Sequence, residues 1–270
     1  VKVYKPYHSV GEDFLPSYLG MIGIPINIVP EFPVDDPICL LTEQSATDAD
    51  VVEQIKKQLI DGQDVMITSG FLRERNSEIT DIAELRYTDH KALVRRFRQG
   101  RGRELLTVDE PILIPQIKYL TNDSWELVSG LDRDNGWPIL HAADYANGKL
   151  FVLTIPENYE DLYQLPAPVT SRIKQSLTKS MDIMLEGPGK TSLFVYDNGT
   201  AVVESFNDEA VEVMLRTAAS VTNVADLVTK QSYDYVDVPV MEGARFDPPT
   251  IYHGFMIEIP PHSFKAIRFE

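Results

Sequence analysis

A strand-helix-strand unit between Pro37 and Gly70 constrains the fold more than any other stretch of the sequence. Two short apolar runs, 38–41 and 65–67, are bounded by Pro, Asp and Gly, which is typical of strands buried on both faces. Between them, apolar residues recur at helical spacing: Val52, Ile55 and Leu59. The pattern predicts two adjacent parallel strands joined by a right-handed helical crossover, with Thr47 as the helix N-cap.

The residues before this unit are predicted to extend the same sheet. Segments 1–4 and 24–29 read as strands, and the stretch between them carries apolar residues at helical spacing from about Glu12. The repeated β-α-β order predicts a parallel sheet covered by helices. Residues 71–77 are polar and are predicted to form a loop at the carboxyl edge of that sheet, where α/β folds usually keep their ligand sites.

The middle of the chain is less regular. Short strands are predicted at 84–87 and 112–114, and an Asn-Gly turn is predicted to join strands at 138–140 and 150–155. Helices at 160–165 and 169–177 would complete the cover of the sheet. These elements predict a parallel-sheet α/β domain over residues 1–179.

The periodicity changes from helical to alternating after Met181. The strongest hairpin signal in the chain is Asp197-Asn198-Gly199, which separates apolar runs at 192–196 and 200–206. Further short strands follow at regular spacing. The pattern predicts a small antiparallel β-sandwich over residues 180–270.

Charge narrows the choice of partners. The formal net charge of −16 argues against nucleic acid or an anionic membrane, since both require concentrated positive surface. The exception is the basic segment Lys91–Arg103, interpreted as a helix end and a solvated loop, with an anion site as the alternative. No apolar run is long enough to cross a bilayer. The chain begins with Val1, which suggests a mature form or a piece of a longer polypeptide.

Four motifs, taken in order, resemble the C-terminal half of family-42 β-galactosidases. They are HSVGEDFLPSYLGMIGIPINIVP, DVVEQIKKQLIDGQDVMITSG, GWPILHAADYANGKLFVLTIP, and VADLVT with FMIEIPPHSFKAIRF. The resemblance implies a class I glutamine-amidotransferase-like (flavodoxin-like) trimerisation domain followed by a small β-sandwich. In that family catalysis belongs to a (β/α)8 barrel, which needs roughly 250 residues by itself and has no counterpart here.

The resemblance therefore implies a non-catalytic accessory or oligomerisation region. Its expected partners are the catalytic domain of the same polypeptide or further copies of the chain, with carbohydrate as a possible ligand. The protein is expected to be soluble. It is expected to be periplasmic or extracellular if the parent enzyme degrades polysaccharides. No cofactor is expected.

An amidotransferase-like fold prompts a search for a nucleophile on a strand-to-helix turn. Cys39 lies inside an apolar strand without flanking glycines and is interpreted as a buried small hydrophobe. The turn is instead offered by Ser69, which precedes Gly70. Ser69 would form a catalytic triad with His141 as base and Asp144 as orienting carboxylate. The competing interpretation is that His141 has a structural role. The triad defines the alternative hypothesis of a free-standing hydrolase.

Two other kinds of site are weighed against structural roles. Trp125 and Trp137 would stack on sugar rings in a carbohydrate-binding module, although tryptophans are more often core or interface residues. A histidine and five acidic residues near the N-terminus match no metal-ligand spacing, so no transition metal is expected and only weakly held calcium is left open. They are His8, Glu12, Asp13, Glu31, Asp35 and Asp36. His253 and His262 are assigned structural roles.

Overall fold

The computed structural model describes residues 1–100, 102–120, 123–133, 135–240 and 249–269. The chain divides into two compact units. The first comprises Val1–Tyr18 and Ile26–Leu177, and the second comprises Leu19–Pro25 and Thr178–Glu270. The sequence places residues 19–25 in the first domain, whereas their contacts assign them to the second unit. The predicted boundary between residues 179 and 180 stays a prediction.

The described part of the first unit contains a nine-stranded mixed sheet. Its strands are β1 (Lys2–Tyr4), β2 (Asn27–Val29), β3 (Ile38–Leu41), β4 (Asp64–Thr68), β5 (Leu85–Gln99), β6 (Leu106–Tyr119), β7 (Ser124–Asp132), β8 (Asn135–Tyr145) and β9 (Gly148–Leu153). The order across the sheet is β2-β1-β3-β4-β9-β8-β7-β5-β6. The neighbouring pairs β2-β1, β1-β3, β3-β4 and β4-β9 are parallel. The pairs β9-β8, β8-β7, β7-β5 and β5-β6 are antiparallel.

The predicted strand-helix-strand unit is confirmed. β3 and β4 pair in parallel from Ile38–Asp64 to Leu41–Ile67, and both strands are buried. They are joined through the helix α2 (Val51–Ile60), whose buried residues include those that the periodicity indicates. The N-cap prediction is wrong: Thr47 belongs to the short 3-10 helix Glu43–Thr47, and Asp50 occupies the N-cap of α2.

The predicted parallel sheet is only part of the observed sheet, because β5 to β8 pair in an antiparallel manner, in the order β8-β7-β5-β6, and make the sheet mixed. The basic segment belongs to it: residues 91–99 are strand rather than helix end, and Arg101 lies outside the described residues. Ala92 and Val94 are buried while Leu93 is exposed, which is the alternation of a strand. The predicted short strands at 84–87 and 112–114 are therefore parts of much longer elements.

The polar residues 71–77 form a helix instead of the predicted loop. This helix, α3 (Ser69–Ile79), follows β4 directly, and the hydroxyl of its N-cap Thr68 accepts a hydrogen bond from Phe71 N at 3.2 Å. Phe71 and Leu72 are buried, and the charged residues that suggested a loop are the solvent face of the helix. The other helices are α1 (Leu15–Gly20), α4 (Ala167–Leu177) and the 3-10 helix Tyr159–Gln164.

The second unit contains two antiparallel sheets among its described residues. Its strands are β10 (Ile183–Glu186), β11 (Thr191–Val195), β12 (Thr200–Ser205), β13 (Val211–Ala218), β14 (Val224–Asp226), β15 (Ser232–Tyr233), β16 (Tyr235–Val240), β17 (Thr250–Ile259) and β18 (Ser263–Phe269). The sheets have the orders β10-β13-β17-β16 and β11-β12-β18-β14-β15, and residues of both share one apolar core. The predicted hairpin is confirmed, with β11 and β12 paired across Asp197-Asn198-Gly199.

Candidate functional site

Four chain segments meet at the carboxyl edge of the parallel strands. Loop 6–14 comes after β1, the 3-10 helix Glu43–Thr47 follows β3, α3 follows β4, and the 3-10 helix Tyr159–Gln164 comes after β9. Because these strands are parallel, their carboxyl ends share one edge. Strand order reverses between β1 and β3, and such a switch point is where open α/β sheets form a crevice.

The carboxylate of Glu12 joins three of these segments. Its Oε2 accepts hydrogen bonds from Glu43 N at 2.8 Å and from the Thr68 hydroxyl at 2.5 Å. Its Oε1 accepts from Gly70 N, in the first turn of α3, at 3.2 Å. We call this arrangement the Glu12 closure. The carboxylate thus fills the position at the start of α3 where backbone N–H groups and the helix dipole favour a negative charge.

Two glycines make the Glu12 closure sterically possible. A Cβ added at Gly70 would lie 2.4 Å from Glu12 Oε1, and one added at Gly11 would lie 2.5 Å from Glu43 Cγ. Gly11 also has a φ of 113°, a conformation that residues with a Cβ rarely adopt. Glycine at these positions lets the loop after β1 lie directly against the ends of β3 and β4.

Loop 6–14 adopts an unusual backbone. Three non-glycine residues have positive φ: His8 at 60°, Glu12 at 44° and Phe14 at 69°. Such conformations persist only where the surroundings impose them, and they cluster at functional sites. Here Glu12 and Ser9 are buried and hydrogen-bonded, while Tyr7 and Phe14 are each 77% exposed. The loop is held at its polar residues and presents its aromatic rings to solvent.

Further polar and aromatic side chains surround the Glu12 closure. Arg73 Nη2 donates to Glu43 Oε1 at 2.5 Å, and Gln44 Nε2 donates to Asp13 Oδ1 at 2.7 Å. Three half-buried tyrosines lie against each other. The ring of Tyr18 is stacked on Tyr163 with centroids 5.6 Å apart, and meets Tyr159 edge-on at 5.5 Å.

Electrostatics tie the tyrosines to the acidic residues. Burial raises the pKa of Glu12 above its ordinary value, although its hydrogen bonds from Thr68, Glu43 N and Gly70 N act in the opposite direction. Burial, followed by the negative charges of Glu12 and Glu43, raises the pKa of Tyr159 to about 12. Like any tyrosine hydroxyl, that of Tyr159 is protonated at neutral pH and can donate a hydrogen bond.

Ser69, the candidate nucleophile, is buried at the start of α3. It is 3% exposed, and its Oγ accepts a hydrogen bond from Ile155 N at 3.0 Å. The neighbouring backbone donor, Gly70 N, is occupied by the Glu12 carboxylate. A nucleophilic serine requires an exposed hydroxyl beside free N–H groups, and neither is present at this turn.

His141, the candidate base, lies in the middle of the sheet. It is 1% exposed, and neither ring nitrogen has a hydrogen-bond partner among the described residues. Its ring packs against Tyr119 at 4.7 Å, and it is in register with Glu126 and Val152 on the adjacent strands. Burial lowers the pKa of His141 to about 4, so the imidazole is neutral at physiological pH.

Asp144 and the two tryptophans are also apart from the turn. Asp144 forms a surface ion pair with Lys149. None of the described hydrogen bonds joins Ser69, His141 and Asp144 to one another. Trp125 is 38% exposed, and Lys149 Nζ lies 4.9 Å above its ring. Trp137 is half-buried on β8 opposite Gly130, whereas Trp125 is opposite Ala142, so the two rings lie at different levels of the β7-β8 hairpin.

The buried imidazole of His141 predicts a pH dependence of stability. When a histidine has a lower pKa in the folded state than in the unfolded state, the protein loses stability as pH falls below the unfolded pKa. Here this loss occurs from pH 6.5 towards pH 4. At pH 5 the loss amounts to about 2 kcal/mol. We expect the unfolding free energy of the protein, measured with urea, to fall by that amount relative to His141→Leu between pH 7 and pH 5. Equal pH profiles for the two proteins would contradict the burial of a neutral imidazole.

The remaining titratable candidates have ordinary partners. Among the described residues, no group of three or more His, Cys, Asp or Glu side chains could hold a metal ion. Cys39 is fully buried, and burial raises the pKa of its thiol to about 12. His253 Nδ1 lies 2.7 Å from Val221 O, and His262 Nε2 lies 3.0 Å from Asp208 Oδ1.

Sequence reasoning placed Glu12 in a possible acidic cluster and missed its actual role. Nothing in the linear pattern pairs Glu12 with Thr68, which follows it by 56 residues. The one available signal is a glycine directly before a carboxylate in the loop that follows the first strand. The tyrosines at 18, 159 and 163 were missed for the same reason, since they come from two distant segments.

The chain matches two family models. Residues 1–158 match the model described as uncharacterized protein SSO3021, second domain. Residues 182–269 match the model described as probable glycosyl hydrolase, C-terminal domain. No curated protein matches the sequence. Within the described residues, no helix has the length and apolar character that a membrane span requires.

Solved structures of GH42 β-galactosidases share the fold. A catalytic mutant of Gan42B from G. stearothermophilus has a TM-score of 0.54 at 10% identity and covers 100% of this chain. The enzyme from Bacillus circulans sp. alkalophilus has a TM-score of 0.51 at 12% identity and covers 100%. That from the haloarchaeon Halorubrum lacusprofundi has a TM-score of 0.51 at 11% identity and covers 99%.

These similarities confirm the resemblance to the C-terminal region of GH42 enzymes. At such low sequence identity they concern the fold. The chain spans 39% to 41% of the length of the enzymes that it matches.

Proposed function

The chain belongs to the family described as uncharacterized protein SSO3021, second domain, and from this membership and its GH42-like fold we propose that it is a non-catalytic accessory region of a carbohydrate-active enzyme. Its partners are a catalytic domain of the same polypeptide or further copies of the chain. The domains are 1–179 and 180–270. If the parent enzyme degrades polysaccharides, its location is periplasmic or extracellular.

The Glu12 closure is the observation that carries this proposal. The five parallel strands lie in the order β2-β1-β3-β4-β9, which becomes 2-1-3-4-5 when these five alone are numbered along the chain. This is the flavodoxin-like order and is consistent with an amidotransferase-like domain. In such a domain the turn between β4 and α3 is the place for a nucleophile. Here Glu12 occupies the N–H group of Gly70, and the Ser69 hydroxyl is bonded to Ile155 N. The turn is filled by the protein's own side chains.

The free-standing hydrolase is the competing hypothesis, and an activity assay separates the two. We expect no hydrolysis of aryl glycosides, aryl esters or glutamine above the buffer rate, because none of the described hydrogen bonds joins the Ser69 hydroxyl to His141 or Asp144. Ser69→Ala should leave these rates unchanged while lowering stability by about 1 kcal/mol through loss of one buried hydrogen bond. Hydrolysis that falls at least about a hundredfold in both Ser69→Ala and His141→Ala would overturn the proposal.

An outward face of the second unit supports a role in assembly. Phe194 and Phe264 are 47% and 54% exposed on the same face of β11, β12 and β18, opposite the face that fills the core. Exposed apolar patches on a sheet are typical of protein contacts.

Self-association through this face can be measured directly. We expect sedimentation velocity to show an oligomer that Phe194→Asp dissociates, because a charge would be buried in the contact. The matched control is Leu120→Asp, at an apolar residue of the first unit that is 76% exposed. A monomer at all concentrations, or equal dissociation by both variants, would contradict assembly through this face.

A further inference from the structure

We infer that the carboxyl edge of the first unit binds a neutral oligosaccharide through loop 6–14 and the three tyrosines beside it. This inference rests on the proposed function, since it names a ligand for an accessory region of a carbohydrate-active enzyme. The site is distinct from the two tryptophans on β7 and β8. We call it the aromatic edge, defined by Phe14, Tyr18, Tyr159 and Tyr163.

The shape of loop 6–14 is the first argument. One of its three positive-φ residues, Glu12, is held by the hydrogen bonds of the Glu12 closure, and Phe14, two residues later, has 77% of its surface exposed to solvent. A bulky residue with positive φ is energetically unfavourable unless the surroundings impose it. The anchored backbone beside Phe14 limits the positions that its ring can take, which lowers the entropy that a ligand must overcome on binding.

The tyrosine cluster is the second argument. Tyr18 N donates to Phe14 O at 3.3 Å, so the cluster begins one helical turn after Phe14. Tyr18, Tyr159 and Tyr163 combine flat apolar rings with hydroxyl groups, and all three are partly exposed. Rings that are apolar on the face and polar at the tip suit a sugar, which has apolar C–H faces and hydroxyl edges.

The polar groups at the aromatic edge select the class of sugar. Asp13 is exposed, Glu43 is half-buried, and Arg73 is already paired with both Glu43 and Glu74. The acidic groups accept hydrogen bonds from hydroxyls, and the hydroxyl of Tyr159 can donate one. Carboxylates that face the site repel an anionic ligand. The expected ligand is therefore neutral.

The alternative aromatic site is less suited to this role. The ring of Trp125 has Lys149 above it, and Trp137 lies at another level of the same hairpin. A sugar could stack on the face of Trp125 that Lys149 covers only after displacing the ammonium group. No comparable side chain covers the exposed ring of Phe14 among the described contacts.

The test is an NMR titration of the 15N-labelled chain with β-1,4-galactotriose, using trigalacturonate as the anionic probe. We expect saturable shifts in residues 6–18 and 157–164 with a dissociation constant of about 1 mM. Phe14→Ala should weaken binding at least about tenfold, since one stacked ring is lost. Tyr196→Ala, at a ring of the second unit that is 52% exposed, is the matched control and should not change it.

Each other outcome has a defined meaning. The absence of saturable shifts, tighter binding of trigalacturonate, or equal weakening by Trp125→Ala would overturn the inference while leaving the proposed accessory function standing. Tyr159→Phe should weaken binding without changing the unfolding free energy by more than about 1 kcal/mol, since it removes only a hydroxyl. Cleavage of the trisaccharide during the titration would contradict the proposed non-catalytic function instead.

Discussion

Glu12→Ala is expected to lower the free energy of unfolding of the first unit by about 3 to 4 kcal/mol. The substitution leaves Glu43 N, the Thr68 hydroxyl and Gly70 N without their acceptor, the last two in buried surroundings and Glu43 N in partly buried ones. It also releases the constraint on loop 6–14. Urea denaturation followed by far-UV circular dichroism measures the effect. Asp13→Ala is the matched control, because this neighbouring carboxylate is exposed and accepts one hydrogen bond, from Gln44.

The pH dependence of the same comparison tests the electrostatics of Glu12. An acid whose folded pKa is raised above its unfolded value stabilises the fold when protonated and loses that contribution as pH rises through the folded pKa. Because burial raises the pKa of Glu12 above 4.5, the wild type should gain stability relative to Glu12→Gln as pH falls towards that value. A wild type that instead loses stability relative to Glu12→Gln would show that hydrogen bonding outweighs burial. Loss of less than about 1 kcal/mol in Glu12→Ala would show that the closure is dispensable.

Gly70→Ala is expected to destabilise the first unit by about 3 kcal/mol, although alanine is ordinarily the better helix residue. The new Cβ would lie 2.4 Å from Glu12 Oε1 and 2.5 Å from its Cδ, so the carboxylate must leave its three donors. The backbone of Gly70 is not the obstacle, since its φ is not in the left-handed region. Gly20→Ala serves as the control, because a Cβ there meets nothing within 4 Å.

A double-mutant cycle decides whether this effect acts through Glu12. With Glu12→Ala already present, the methyl group of Gly70→Ala has room, and the second substitution should add less than about 0.5 kcal/mol. The coupling energy would then be about 2 to 3 kcal/mol. Additive effects of the two substitutions would mean that Gly70 is needed for the helix itself and not for the closure.

The parallel half of the sheet follows from local sequence, and the antiparallel half does not. The run 38–41 is apolar throughout and is followed by a periodic helix, so the pattern has one reasonable interpretation. In β5 the buried residues are separated by up to six partly or fully exposed ones, and the pairing with β6 shifts register twice. Bulges of this kind interrupt the period on which strand prediction depends.

The candidate site shows the same division. Sequence reasoning identified the turn at Ser69 and Gly70 as the place for a functional group, because a strand end followed by glycine indicates such a turn. It assigned no role there to Glu12, whose carboxylate fills the turn in the structure. The charges of the basic segment favour a helix end, whereas the alternation of Ala92, Leu93 and Val94 corresponds to the strand that the structure has.

The sequence by itself determined the strand-helix-strand unit, the hairpin at Asn198-Gly199 and the change from mixed α/β to all-β architecture, since each depends on residues within about 30 positions of one another. Only the tertiary structure decided how the parallel strands align at their carboxyl edge. That alignment brings Glu12 to Thr68 and Gly70, and Tyr18 to Tyr159 and Tyr163. The physical reason is that hydrogen bonds and ring contacts between distant segments depend on strand order and register, and the linear pattern does not specify either.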